Sequence, residues 1–298
     1  MQFGVTLPVG VVGTDGRVKS YAEIRALAQS VERTGLDSIW IYDHFIFHFS
    51  GKPREGVWES WTILSGLAEA TERVTLGNIV ICTAHRNPAV LAKMAVTLDE
   101  MSDHRLILGL GAGWNIPAFE MFGLPYDHLV DRFEEALKII TPLVRDGKVD
   151  FRGTYSSAIE CEILPSPGRS IPVMIGANRP RMMRLTAQFA DSWNANGLGQ
   201  VAGLTPKRAA LEAAAAEVGR DPASLEVTGG VNIAFPDLGP VPAGADDPAK
   251  YLGGSIEELA EGLRGYVDAG VGHVMAWLYP LNDESIARYA AAADLARA

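Results

Sequence analysis

Cysteine is nearly absent. Only Cys82 and Cys161 occur in 298 residues, too few for a disulfide framework, which favours a reducing compartment. An excess of positive charge is also missing: 26 Lys and Arg face 36 Asp and Glu, for a net charge of −10. Nucleic acids and membrane surfaces are both recognised through basic patches, so neither is an expected partner. A small anionic ligand needs only a few local arginines and stays open. No apolar run nears the roughly 20 residues that cross a bilayer. The first residues, MQFGVTLPVG, put no basic segment ahead of an apolar one, so a signal peptide is not expected and the expected location is cytoplasmic.

What the sequence does have is alternation. Hydrophobic residues make up 48% and charged residues 21%, an ordinary globular balance. Short β-rich apolar runs recur between amphipathic stretches, the pattern of parallel βα units. The runs are Phe3–Leu7, Ser38–Tyr42, Val74–Ile81, Leu106–Gly111, Pro172–Ile175, Ser192–Ala195, Val227–Phe235 and His273–Leu278. Eight strands close a barrel, so the expected fold is a single (β/α)8 TIM barrel over residues 1–298 with insertion segments. The alternative, an open doubly wound sheet, requires a glycine fingerprint after the first strand. Gly10 and Gly13 are there, but Pro8 interrupts the strand exit and no acidic residue ends strand two in register.

Helix signals agree. Ser20 with Glu23 forms a capping box and Gly35 a stop, and Ile24, Leu27, Ala28 and Val31 share a face. A second stripe is Leu129, Phe133, Leu137, Ile140 and Val144, and Ser255 to Gly270 carries a further helix around Tyr266. The alanine-rich run from Ala209 to Val218 reads as a surface helix. Segments 44–57, 150–170 and 236–252 fit no simple βα unit. The first and third follow strand ends where barrel active sites are built, and the second suits a hairpin around Phe151–Ile163. An insertion is expected near Ile116–His128.

Chemistry concentrates at the strand ends. Strand two ends Tyr42-Asp43-His44-Phe45. Asp43 could hydrogen-bond backbone or orient His44, which could exchange a proton near neutral pH; equally, Asp43 could cap a turn and His44 lie on the surface. His44 and His48 have i, i+4 spacing but lack a third ligand, so no metal is expected. Cys82 reads as an inert small residue. Gly109, Gly111 and Gly113 alternate along strand four and allow close approach to the backbone, which either a nucleotide phosphate or tight barrel packing could use. Strand five ends Gly176-Ala177-Asn178-Arg179-Pro180-Arg181, where a helix begins. Backbone amides there, with Arg179, Arg181 and Arg184, make a candidate anion site, or a solvated basic face. Phe45, Phe47, Trp58, Trp61, Trp114 and Phe122 crowd the expected mouth and suit an apolar substrate.

Taken in order, several segments resemble the luciferase-like monooxygenase superfamily. They are Asp43-His44-Phe45, Trp58-Glu59-Ser60-Trp61-Thr62, 70–77, 86–93, 98–102, 108–114, Arg132 with Glu135, Leu164-Pro165, Ile171-Pro172-Val173 and 190–194. The resemblance implies an oxidoreductase binding reduced FMN or the deazaflavin coenzyme F420 at the C-terminal ends of the strands. It gives His44 and Asp43 the catalytic role. It places cofactor contacts at Asn78, Ile79 and Val80, where a bulge or non-proline cis peptide is expected, at Gly111, Ala112 and Asn115, and at Gly176, Ala177, Asn178 and Arg179. Phe45, Phe47, His48, Trp58 and Trp114 would line the substrate pocket. The chain departs from the family's light-emitting members at Ala112, where they have arginine. It departs from the sugar-phosphate dehydrogenases by lacking their tryptophan near His48 and glutamate near Trp114. The expected reaction is F420-dependent hydride transfer with a small organic substrate. An FMN monooxygenase served by a separate flavin reductase and a non-catalytic flavin-binding barrel are the alternatives, and a homodimer is the expected assembly.

Overall fold

The computed structural model describes the whole chain except Val12, Gly13, Asp15, Phe49, Ser50 and Lys52. Eight parallel strands run in chain order: β1 (Gln2–Thr6), β2 (Ser38–Ile41), β3 (Thr75–Asn78), β4 (Leu106–Gly111), β5 (Val173–Gly176), β6 (Ser192–Leu198), β7 (Glu226–Ala234) and β8 (His273–Tyr279). Each pairs with the next, and β8 pairs with β1, so the sheet closes on itself. Closure rules out the open-sheet alternative. Of its two glycines, Gly13 lies outside the described residues.

The helices connecting the strands are α1 (Tyr21–Arg33), α2 (Ser60–Ala70), α3 (Pro88–Met101), α4 (Ile116–Phe122), α5 (Leu129–Asp146), α6 (Pro180–Phe189), α7 (Thr205–Glu217) and α8 (Ile256–Asp268); α9 (Asp283–Arg297) follows β8. Their ends follow the local chemistry. Ser20–Glu23 and Ser255–Glu258 form reciprocal capping boxes on α1 and α8, and Asn87 caps α3 ahead of Pro88. The α1 stripe Ile24, Leu27, Ala28 and Val31 is buried against the barrel. In α5 the stripe is buried from Phe133 onward, while Leu129 at its start is half-buried. The alanine-rich α7 buries only Leu211, Ala214 and Ala215.

Segment 150–170 contributes to an antiparallel hairpin, Lys148–Arg152 with Ser157–Glu162. The loop after β2 folds into a small ribbon, Ile46–Phe47 against Glu55–Gly56, with its tip at residues 49, 50 and 52 outside the described residues. The barrel interior is not purely apolar. His273 at the start of β8 places Nε2 2.6 Å from Ser38 Oγ, which also accepts from Trp40 Nε1 at 2.7 Å, so two large polar-tipped rings are satisfied through one hydroxyl. Among the described residues, no helix is long and apolar enough to cross a membrane.

Candidate active site

At the C-terminal ends of the strands a cavity of about 380 Å³ opens, lined by Tyr42, His44, Phe47, Val80, Trp114 and Trp277 among others. Ligand cavities run from about 300 to 1,000 Å³. Its floor is set by β3, which breaks after Asn78 and resumes as Ile81–Cys82 beside β4. The Ile79–Val80 peptide between the two pieces is cis, as expected of this segment. The glycines of the neighbouring strands make room for it. A Cβ on Gly109 would lie 1.9 Å from the Asn78 carbonyl oxygen, one on Gly111 2.6 Å from Val80 Cγ2, and one on Gly176 3.3 Å from Val80 Cγ1. The object that approaches the alternating glycines of β4 is therefore the broken strand beside them.

The walls are rings. His44 lies 4.5 Å from Phe47 and 5.3 Å from Trp114 between ring centroids, the latter edge-on. Tyr42 stacks on Trp277 at 5.5 Å and 19°, and its hydroxyl accepts from Gly10 N at 2.8 Å. Amides supply the polar atoms: Asn178, Asn194 and Asn196 line the cavity, and Asn194 Nδ2 is spent on Thr228 Oγ1 at 3.0 Å. The Trp277 indole N–H is buried without a partner among the described residues.

Burial among these rings pushes the His44 pKa down to about 4, against the opposing pull of the Asp43 carboxylate. The imidazole is thus neutral at physiological pH, a form that can accept a proton, rather than poised between its two forms. Asp43, 2% exposed, turns away from it. Its Oδ1 accepts from Ser60 Oγ at 2.7 Å and Arg86 at 3.1 Å, and its Oδ2 from Cys82 N at 3.0 Å and Arg86 at 2.7 Å. Of the two partners the sequence allows Asp43, backbone or imidazole, the structure supplies backbone, and it belongs to another strand. Burial opposes ionisation of Asp43, but the neighbouring His85 and Arg86 outweigh it and hold the carboxyl well below its usual range. Arg86 also pairs with Glu59, which caps α2 through the amides of Trp61 and Thr62. Cys82 is buried and pushed up to about 12 by desolvation and the Asp43 charge, an unreactive thiol.

The cavity lining includes His44, Asp43, Ile79, Val80, Cys82, Gly111, Gly113, Gly176, Asn178, Phe47 and Trp114 of the residues singled out in the sequence. The others lie elsewhere. Asn78 and Ala177 are buried behind the lining, Asn78 with an Oδ1 that has no partner among the described residues and Ala177 accepting from Trp193 Nε1 at 3.0 Å. Asn115 donates to the Ile46 carbonyl at 2.6 Å and ties the β4 exit to the ribbon. Ala112 packs on the core. Phe45 stacks on His85 at 4.3 Å and meets Phe122 at 4.8 Å, in a cluster beside the cavity. His48 is half-buried outside the lining. Trp58 donates to the Lys19 carbonyl at 2.8 Å and is half exposed, and Trp61 is buried in the core. Of the three arginines after β5, Arg181 is held by Asp131 and Glu134 and Arg184 by Glu217. That leaves Arg179, exposed at the uncapped start of α6, as the cation available to a ligand there.

Sequence reasoning gave no site role to Arg86, Ser60, Asn194, Asn196 or Trp277. A signal existed for some: Glu59 and Ser60 sit in the Trp58–Thr62 segment, a β2–α2 loop at the barrel's catalytic end, and Arg86 sits four residues after Cys82.

Comparison with known proteins places this geometry among relatives. The chain is 31% identical over 172 residues, 56% of its length and 50% of the other's, to the F420-dependent glucose-6-phosphate dehydrogenase of Amycolatopsis mediterranei (strain U-32). It is 33% identical over 171 residues, 55% and 50% of the two lengths, to the pyrimidine monooxygenase RutA of Cronobacter sakazakii (strain ATCC BAA-894). The matches thus span about half the length of these curated relatives. Its fold superposes on an F420-dependent secondary alcohol dehydrogenase in complex with an F420-acetone adduct with a TM-score of 0.82 at 19% identity, over 100% of this chain and 99% of that one. The model of the luciferase-like monooxygenase family matches residues 1–237, so the chain belongs to the luciferase-like monooxygenase family.

Proposed function

We propose that the chain is an F420-dependent oxidoreductase that moves hydride to or from a small, uncharged organic substrate. The carrying observation is the neutral imidazole of His44, flanked by Phe47 and Trp114 and opening on a cavity whose floor is Val80 between two glycines. An apolar floor of Val80 set against glycines and walls made of rings suit a planar tricyclic cofactor. Asn178, Asn194, Asn196 and the unpartnered Trp277 N–H suit its polar edge. Ile79, Val80, Gly111 and Gly176 would hold the ring, and the backbone of Gly176–Asn178 with Arg179 would hold its phosphate.

Bound deazaflavin supplies a ring carbon that accepts or releases hydride. His44 does the accompanying proton work. As an alcohol carbon loses hydride, a ring nitrogen of His44 takes the hydroxyl proton and a carbonyl results; in reverse, the protonated imidazole returns it. Phe47, Trp114 and Trp277 wall the cavity with apolar rings and would limit the water that reaches the transfer. Titration of the purified protein with F420 and with FMN, followed by fluorescence, tests the reading. Tight binding of F420 with anaerobic alcohol oxidation supports it, whereas binding of FMN alone with oxygen uptake refutes it. That second outcome would fit an FMN monooxygenase fed by a separate reductase, a reading favoured by the match to the RutA monooxygenase.

A further inference from the structure

We propose that Arg86 is a positioning residue for His44: by clamping Asp43 from both oxygens it fixes the strand end that carries the imidazole and offsets part of the carboxylate's charge beside it. The inference rests on the reading of His44 as the proton-exchanging group. Its own observations are geometric. Arg86 and Asp43 form a two-point ion pair at 2.7 and 3.1 Å, with side chains 11% and 0% exposed. Such a fork fixes orientation as well as charge. Asp43 is adjacent in sequence to His44, so the plane that Arg86 imposes on the carboxylate also fixes the backbone from which the imidazole projects. The clamp joins three elements at the catalytic end of the barrel: the β2 exit through Asp43, the resumed β3 through Cys82 N, and α2 through Ser60 and Glu59.

The groups facing this pair are Cys82 on the resumed β3, His85 with Nδ1 3.3 Å from Asp43, and Glu59 and Ser60 at the start of α2. Glu59 balances the rest of the Arg86 charge. Without Arg86 an ionised Asp43 would stand uncompensated next to His44 and favour the imidazolium, the form unable to accept the substrate proton.

The test follows the His44 ring by NMR titration, with its signal identified from His44→Asn, and so requires neither cofactor nor turnover. In Arg86→Gln the His44 midpoint is expected to rise by about 1–3 pH units, and the acid limb of kcat to move with it. Arg86→Lys, which keeps the charge but only one contact, should rise less. Arg86→Gln combined with Asp43→Asn, which removes both charges, should bring the midpoint back down. If Arg86→Gln does not fold, the lysine and double variants decide. A His44 midpoint equal to wild type in every variant, with only stability or overall rate reduced, makes Arg86 a purely structural residue and overturns the proposal. Should His44→Asn retain full turnover while the midpoint shifts are still observed, the functional reading of His44 fails and the clamp stands.

Discussion

The glycines around the broken third strand allow a graded test. Gly109, Gly111 and Gly176 all border Asn78–Val80, but an alanine at each would meet something different: a backbone carbonyl at 1.9 Å, the Cγ2 of Val80 at 2.6 Å, and the Cγ1 of Val80 at 3.3 Å. A carbonyl in a paired strand cannot yield, so Gly109→Ala must push β3 and β4 apart. Overpacking typically costs about 1–3 kcal/mol, and this contact belongs at or above the top of that range. In Gly111→Ala, Val80 can swing its own methyl away from the added one, at a cost nearer about 1–2 kcal/mol. At position 176 the neighbour need give only a few tenths of an ångström. The unfolded chain loses freedom worth about 0.4–1 kcal/mol on Gly→Ala replacement, so Gly176→Ala should be near neutral. At roughly 2–4 °C per kcal/mol for a domain of somewhat smaller size, Gly109→Ala should melt about 6–12 °C below wild type and Gly176→Ala within a degree or two. Cofactor titration should follow the same order, because the first two variants move Val80 in the cavity floor. Equal melting of all three, or a Gly176→Ala worse than Gly109→Ala, would show that the broken strand is not what these glycines accommodate.

Other expectations use the cavity itself. His44→Asn should lower turnover by about 100-fold or more while cofactor affinity changes little; stopped-flow rates and fluorescence titration check the two halves. Arg179→Ala should weaken cofactor binding by about 1–3 kcal/mol through a lost charge-assisted contact. Alanine at Arg181 or Arg184, already held by Asp131, Glu134 and Glu217, should change affinity much less, and equal losses at all three sites would contradict the assignment. Burial, then the N-terminal charge, holds the His273 pKa down to about 3, so between about pH 6.5 and 3 the unfolded chain binds a proton that the folded chain refuses. Stability is therefore full above about pH 6.5 and falls on acidification by up to about 1.4 kcal/mol per pH unit from this residue, and a urea unfolding free energy that stays flat from pH 6.5 to 4 would refute it.

The barrel was legible because its signals are local and repeated. Each strand is a short apolar run, α1, α3 and α8 carry their own caps, and the count of eight needs no knowledge of which strand touches which. The site was legible only where sequence neighbours act together. Asp43 and His44 leave β2 as a pair, and Gly176–Arg179 lead directly into α6. The fine structure of the site depends on contacts between segments far apart in the chain. Asp43 is adjacent to His44, yet its carboxylate is captured by Arg86, 43 positions on, and by Ser60, 17 positions on, because a buried carboxylate lowers its free energy most with a two-point cation. The same competition removed Arg181 and Arg184 from the anion site: acidic residues of α5 and α7 lie within reach, and composition cannot say which charges have already found partners. Glycine periodicity along β4 was ambiguous for a related reason. It announces a close approach without naming what approaches, and here the visitor is the cavity floor that the neighbouring strand provides. Local pattern thus reads out the scaffold and the chain positions of the reactive groups, whereas their ionisation is set by partners that only the closed barrel brings near.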